Sequence, residues 1–288
     1  MIDFTKYKTK RKAYGGANGN KISIIYDNSV YMLKLPTHAI KNRNLSYANS
    51  AVSEYLGCHI FNMLGVCAQE TLLGTYTYHD KERIVVACKD FVKSSYQLLD
   101  FAAIKNQIID SNSNGYGTDI DDILETIDKQ TVIDHLVLKK HFWKIFVIDA
   151  LIGNWDRHNG NWGFLYHNDT DMVTLAPVYD CGSCLFPQID EGLIIRALNN
   201  KKELESRVYE VPTSAIQHNG KRINYYDLLS SHEYKECDEA INEISKLVNL
   251  DDISKLIDTV QCISENHKLF LKEIISLRFK KLIVENLK

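Results

Sequence analysis

The feature that most constrains this chain is a stretch of helix with no polar face. Residues 130–153 carry a helical pattern, and near its end Phe142, Trp143, Ile145, Phe146, Val147 and Ile148 cannot all lie on one side. A helix that is apolar all round has to be enclosed, so the pattern predicts a central helix packed by other elements on every side. Asp149 sits within that apolar run. Directly after Gly153 the chain turns polar, reading Asn154-Trp155-Asp156-Arg157-His158-Asn159-Gly160-Asn161. A buried helix thus delivers a cluster of polar residues into a loop.

The elements around this helix change in kind along the chain. Up to about residue 95 the pattern is short strands plus one helix. Residues 21–26 and 29–35 are rich in Ile, Val, Tyr and Leu and flank Asp27-Asn28, a predicted hairpin turn. Residues 71–78 and 83–87 are further strand-like runs. Between the pairs, residues 48–64 set Val52, Tyr55, Leu56, Ile60, Met63 and Leu64 along one side of a helix that Gly65 would stop. Upstream lies Tyr14-Gly15-Gly16-Ala17-Asn18-Gly19-Asn20, whose glycines suit a loop bent close to a ligand or a neighbouring strand. After Lys93 the pattern turns helical, interrupted by strand-like runs at 162–167 and 172–179 around the turn 168–171. A helical region is expected over 201–229, with more helix over 238–288. The order predicts an α+β protein with a small N-terminal β-rich lobe, residues 1–92, and a larger, mainly helical C-terminal lobe, residues 93–288. The cleft between them would be the site.

Bulk properties narrow the function classes. A length of 288 residues suits one two-lobed unit, and a net charge of −3 gives no reason to expect direct nucleic-acid binding or an anionic membrane as partner. Seven cysteines at irregular spacing fit a reducing compartment better than a disulfide framework. The start, Met-Ile-Asp-Phe-Thr-Lys, lacks a basic segment followed by an apolar run, and no apolar stretch approaches the about 20 residues that span a bilayer. A soluble cytoplasmic protein with no membrane association is expected.

The residues themselves point to phosphoryl transfer, a reaction that asks for metal ligands, an orienting group and cations on phosphates. Asp156 and, further along the same loop, Asn161 offer a carboxylate and an amide oxygen, hard donors of the kind magnesium prefers. A hairpin later, Val178-Tyr179-Asp180-Cys181-Gly182 supplies a second carboxylate. Running out and back along the hairpin would return Asp180 to the neighbourhood of Asn161, leaving Asp156 free to take the proton from an attacking hydroxyl or to hold it in line. His158 could position the loop or assist that proton. The glycine loop is no Walker A motif, since Gly-Lys-Ser/Thr is absent. Residues 110–121 have the spacing of a calcium loop, but Gly117 and Asp121 stand where an aliphatic residue and Glu are usual. Cys181-x-x-Cys184 has no second pair to complete a zinc site, and packing is its simpler role.

Asn154-x-Asp156-Arg157-His158-x-x-Asn161 followed by Tyr179-Asp180-x-Gly182 resembles the catalytic loop and metal-binding aspartate of HipA-like serine/threonine kinases, the toxin kinases of bacterial toxin–antitoxin systems. The Asp-Arg-His-x-x-Asn core is shared with phosphatidylinositol 3/4-kinases. Gly15-Gly16-Ala17-Asn18-Gly19-Asn20-Lys21, Tyr31-Met32-Leu33-Lys34-Leu35-Pro36, Gly115-Tyr116-Gly117-Thr118 and Arg207-Val208-Tyr209-Glu210-Val211-Pro212-Thr213 look like the short CtkA-type branch of the bacterial family. The resemblance implies a two-lobed protein-kinase-like fold with ATP between the lobes. It implies Asp156 as catalytic base or orienting residue, and Asn161 and Asp180 as Mg2+ ligands. Gly15, Gly16 and Gly19 would cover the nucleotide, Lys34 and Lys21 would contact its phosphates, and Glu54 would fix Lys34. The run Cys88-Lys89-Asp90-Phe91 would be the hinge for adenine, with Lys89 and Phe91 as its contacts. The substrate implied is a protein, such as an aminoacyl-tRNA synthetase or another translation component, and an antitoxin partner is implied as a restraint. A lipid or small-molecule kinase is the alternative that the shared core leaves open.

Overall fold

A computed structural model of the chain describes residues 1–12, 14, 21–35, 49–109 and 113–288. Its amino-terminal part is built on a sheet of β1 (Ile2–Asp3), β2 (Thr9–Lys10), β3 (Lys21–Tyr26), β4 (Ser29–Lys34), β5 (Thr71–Tyr78) and β6 (Lys81–Lys89). Their order is β1–β5–β6–β4–β3–β2, antiparallel except where β1 lies beside β5. The β3–β4 turn falls on Asp27 and Asn28, both at positive φ (45° and 55°), the pair of left-handed residues that a two-residue hairpin needs. Side chains alternate along β6 as a pleated strand requires. Val85 and Ala87 join Phe4, Ile24, Tyr31 and Leu33 on one face, while Val86 and Cys88 meet Ala51 of α1 (Ser50–Met63) on the other. The far side of α1, with Leu56, Ile60 and Phe61, enters the main core, so this helix is sandwiched. Ala48, where the helix was expected to begin, lies outside the described residues.

α4 (His135–Ile152) is the axis of the carboxy-terminal part, and residues 142, 143 and 145–152 are all buried along it. It starts later than residue 130 because Gln130 closes a turn of its own, its Oε1 accepting the N–H groups of Val132 (2.8 Å) and Ile133 (3.0 Å). Asp134 then caps the helix by accepting from the N–H groups of Leu136 and Val137. The helix ends at Gly153, whose φ of 63° is left-handed; a Cβ there would also come within 3.2 Å of Pro212. The surrounding helices are α2 (Phe101–Ile108), α3 (Ile120–Lys129), α5 (Glu191–Leu198), α6 (Lys201–Tyr209), α7 (Tyr225–Ser231), α8 (Lys235–Ser245), α9 (Leu250–Asp258) and α10 (Glu265–Arg278). Of these, α3, α8 and α10 lie directly against α4.

Strands in this part depart from the expected pattern in three places. β7 (Tyr96–Asp100), in a region read as helical, pairs with β8 (Gly163–His167), which pairs in turn with β9 (Met172–Leu175). β9 ends well before residue 179 because Pro177 has no N–H to give a ladder. Val178 instead bridges residues 67–69: its N–H donates to Cys67 O and its C=O accepts from Gln69 N–H, both at 2.8 Å. The third correction is in residues 201–229, where β10 (Thr213–His218) and β11 (Lys221–Asn224) form a hairpin between α6 and α7. Its turn is Asn219-Gly220, again both at positive φ (53° and 75°). Among the described residues no helix is long and apolar enough to cross a membrane.

Arg278, at the end of α10, is buried with no carboxylate partner among the described residues. Its Nε donates to Ala150 O (2.8 Å) and its Nη1 to Arg207 O, carbonyls in the last turns of α4 and α6. Two helix carboxy-termini, each the negative end of a peptide-dipole array, stand in for the missing acid. Burial still pulls the guanidinium down to a pKa of about 10. Replacing Arg278 by Met would strand both carbonyls, and stability is expected to fall by about 3 kcal/mol. Urea unfolding of the R278M variant measures this, and an unchanged midpoint would refute the assignment.

Candidate active site

The loop after α4 is held by a buried ion pair. Asp149 and Arg157 are 1% and 3% exposed, and the guanidinium grips the carboxylate at both oxygens, Nε to Oδ2 at 2.9 Å and Nη2 to Oδ1 at 3.3 Å. Burial alone pushes the Asp149 carboxyl up, and the guanidinium opposes it. Arginine does not give up its proton in such a setting, so the pair is ionised, with Arg157 held well above its ordinary value despite burial by the charge of Asp149. Asn154 Nδ2 donates to the same Oδ1 at 2.8 Å.

The rest of the guanidinium joins the two segments that carry the candidate metal ligands. Nη1 donates to the carbonyl of Asn161 (2.9 Å) and to the carbonyl of Tyr179, the residue before Asp180. Tyr179 is fastened at its other end too, its hydroxyl donating to Gly160 O at 3.0 Å. Within the loop, the carbonyl of Asp156 accepts from His158 N–H and from Asn161 Nδ2, both at 2.9 Å. With its Nδ2 used inside the loop, Asn161 keeps its amide oxygen free of hydrogen bonds among the described residues, and that oxygen is the atom a hard cation takes. His158 Nδ1 accepts from Gly160 N–H at 3.1 Å, which places the neutral ring's proton on Nε2.

Lys34, the last residue of β4, reaches across to this loop region. Its Nζ lies 2.8 Å from Glu54 Oε2 and 2.8 Å from Asp180 Oδ1. Burial works against the ammonium, but the charges of Asp180 and Glu54 outweigh it and hold the pKa well above the ordinary lysine value. The same contact holds the Asp180 carboxyl down at about 2. Glu54 is buried although it falls off the main apolar side of α1, because the helix is covered on more than one side. Gly182 lets it in: a Cβ at that position would stand 3.0 Å from Glu54 Oε2. Asp180 itself sits at φ 58°, a left-handed backbone that Asp tolerates better than most residues. Asp156 is half-buried; burial pushes its carboxyl up and Asp180 adds to this, while His158, Arg222 and Arg157 pull it down. A raised carboxyl suits a group that receives a proton.

Lys21 starts β3 directly opposite Lys34 and adds positive charge at Asp180. Gly15, Gly16 and Gly19 lie outside the described residues. Lys89 turns its ammonium to Glu70 (2.7 Å), its N–H donates to Glu70 O, and its carbonyl accepts from Gln69 Nε2. In the run 88–91, Asp90 O and both backbone groups of Phe91 have no hydrogen-bond partner among the described residues. The Phe91 ring lies 5.9 Å from that of Tyr179, so the 88–91 run and the Asp180 segment meet. The Asp90 carboxylate is clasped by Lys12 and by the Tyr14 hydroxyl (3.1 Å), which brings the start of the chain onto the 88–91 run.

Several residues that hold the site carried weaker signals in the sequence. Asp149 is an acid in an apolar helix, which demands a buried partner, and Arg157 is that partner. Asn159 Nδ2 donates to the carbonyls of Gly115 (2.9 Å) and Gly117 (2.8 Å), and buried Lys105 also donates to Gly117 O (3.0 Å). Cys181 and Cys184 are buried free thiols, as packing requires. Arg222, on the hairpin not foreseen, donates to the carbonyl of Trp155.

Removing Arg157 would leave Asp149 charged and alone in the core. The R157A variant is expected to lose about 3–5 kcal/mol of stability, and R157K to recover little, since an ammonium cannot span the same acceptors. Thermal and urea unfolding check this; a near-native R157A would refute the central role of the pair.

Comparison with known proteins follows the same lines. The chain is 45% identical over 284 residues to the serine/threonine-protein kinase CtkA of Helicobacter pylori strain J99, covering 98% of this chain and 86% of that protein. It superposes on the crystal structure of the H. pylori proinflammatory kinase CtkA with a TM-score of 0.92 at 44% identity, over 99% of this chain and 96% of that one. HipA from the Shewanella oneidensis MR-1 complex of HipA, HipB and operator DNA shares the fold, with a TM-score of 0.55 at 10% identity over 95% of this chain and 65% of that one. The two-lobed kinase-like architecture is thus common to all of them. The pattern described as the HipA-like C-terminal domain matches residues 13–249, and the chain belongs to that family.

Proposed function

We propose that this chain is an ATP- and magnesium-dependent serine/threonine protein kinase whose chemistry is carried by Asp156, Asn161, Asp180 and Lys34. The observation that carries the reading is the Lys34 ammonium bridging Glu54 and Asp180 at 2.8 Å each, while Arg157 ties the Asp180 segment to Asn161. An ammonium has three N–H donors, and two are used, so one remains for a phosphate oxygen. Asp90 O and Phe91 N–H would receive the adenine edge.

The donor set fits magnesium. Asp180 and Asn161 offer one carboxylate and one amide oxygen, and no group of three or more His, Cys, Asp or Glu among the described residues could hold an ion by itself. Magnesium commonly takes one or two protein ligands and completes its shell with water and substrate phosphates. When bound, it would neutralise charge on the transferring phosphoryl group. Asp156 holds the acceptor hydroxyl in line and receives its proton, and His158, with its proton on Nε2, keeps the loop in shape through Gly160. Lys34 steadies the phosphates, and Glu54 keeps Lys34 from swinging away.

The kinship to a serine/threonine-protein kinase favours a protein acceptor over the lipid or small molecule that the shared motif also allows. A component of the translation machinery, such as an aminoacyl-tRNA synthetase, and restraint by an antitoxin partner are the corresponding proposals for substrate and partner. Incubation with γ-labelled ATP, magnesium and separate protein, lipid and metabolite pools is expected to label protein serine or threonine. The D156A and D180A variants are expected to lose roughly 10²–10³-fold in turnover, and a chelator should stop transfer. Label confined to lipid or metabolites would overturn the protein-kinase reading.

A further inference from the structure

The peptide group between Trp155 and Asp156 sets where the Asp156 side chain leaves the backbone, and it is held on both sides. Its N–H, that of Asp156, donates to Asn154 Oδ1 at 3.3 Å, a long bond. Its C=O, that of Trp155, accepts from Arg222 Nη2. Arg222 is itself fixed, because its Nε donates to Ser214 O across the hairpin at 2.7 Å. The hairpin is anchored independently of Arg222. Gln217 N–H donates to Thr118 O (2.8 Å), Thr118 Oγ1 donates to Ala215 O (2.8 Å), and the Tyr225 hydroxyl, just past β11, donates to Asn154 O. The guanidinium therefore arrives at the Trp155 carbonyl from a rigid support, although the residue is exposed.

We propose that Arg222 is a positioning residue for phosphoryl transfer: from hairpin β10–β11 it locks the Trp155–Asp156 peptide, so that the Asp156 carboxylate meets the acceptor hydroxyl in one orientation. Asn154 alone cannot do this, since a single 3.3 Å bond on one side leaves the peptide free to tilt about its neighbours. Arginine suits the task because its fork can hold Ser214 O and Trp155 O together. The nucleotide lies on the other side of the reacting atoms in this reading, so Arg222 acts on turnover and not on ATP affinity. A misplaced catalytic group costs up to about 10²-fold even when all the chemistry is present.

The inference rests on the phosphotransfer reading of Asp156, and the test separates the two. Steady-state ATP turnover is measured for wild type, R222A, R222K, D156A and K221A, the last altering an exposed neighbour on the same hairpin, together with amide hydrogen exchange over residues 154–161. R222A is expected to lose roughly 10- to 100-fold in kcat with the KM for ATP within about twofold of wild type. R222K, or added guanidinium ion with R222A, should restore part of the loss, K221A should match wild type, and exchange in the loop should quicken in R222A. Wild-type kcat in R222A would overturn the inference, as would loop exchange unchanged from wild type. A loss of kcat that comes with a raised KM and a lowered unfolding temperature, and that neither R222K nor guanidinium relieves, would also overturn it. If D156A keeps wild-type turnover, the phosphotransfer reading itself fails, whereas the exchange measurement still decides whether Arg222 holds the loop.

Discussion

The ion pair between Asp149 and Arg157 is the interaction on which the site depends. Taking two charges out of water is costly, and such a pair holds only when every remaining donor and acceptor is satisfied. Here each N–H of the guanidinium has an acceptor: two on Asp149, one on the carbonyl of Asn161, one on that of Tyr179 and one on the sulfur of Cys181. The face of the group also lies 5.6 Å from the Phe61 ring on α1. One side chain thus touches the end of the central helix, the loop after it, the segment of Asp180 and the helix that carries Glu54. The polar loop has a fixed shape because its centre is dry and fully bonded.

Lys34 connects this assembly to the sheet. Its two carboxylate partners come from different layers, Glu54 from the helix behind the sheet and Asp180 from the far side of the site. The ammonium satisfies both acids, which keeps two negative charges from facing each other across a narrow gap. The low pKa of Asp180 and the high pKa of Lys34 are two views of one contact. Under the proposed function, phosphates would compete for this lysine while a cation took over at Asp180, so each charged group would exchange one partner of opposite sign for another.

Much of this was legible in the sequence where the pattern was local. The apolar run at 142–148 is a central helix, and Asp27-Asn28 makes the hairpin its residue types call for. The return of Asp180 toward Asn161 could be read from a hairpin of the right length, yet what fixes it there is Arg157, whose partners are distant in sequence. The pattern of α1 fits a surface Glu54 as well as a cleft-facing one, because a helical pattern marks one covered side and α1 has more. Residues 201–229 read as helical because α6 and α7 bracket the region, while the signal for the hairpin was a single Asn219-Gly220 between short runs. With the hairpin went Arg222, whose contact to Trp155 has no trace in spacing or composition.

The clasp of Asp90 by Lys12 and Tyr14 has a consequence for how force and motion pass through the amino-terminal sheet. Phe4 is sealed in the core of that sheet, β2 forms its outer edge, and the same stretch of chain then crosses to the connection between the two halves of the molecule. The opening residues therefore run as a strap from the β1 edge of the sheet, past its core, to the Asp90 segment. A pull on the amino terminus would be borne first by β1 and by Phe4 in the sheet core, and would reach the Asp90 segment only after those had given way.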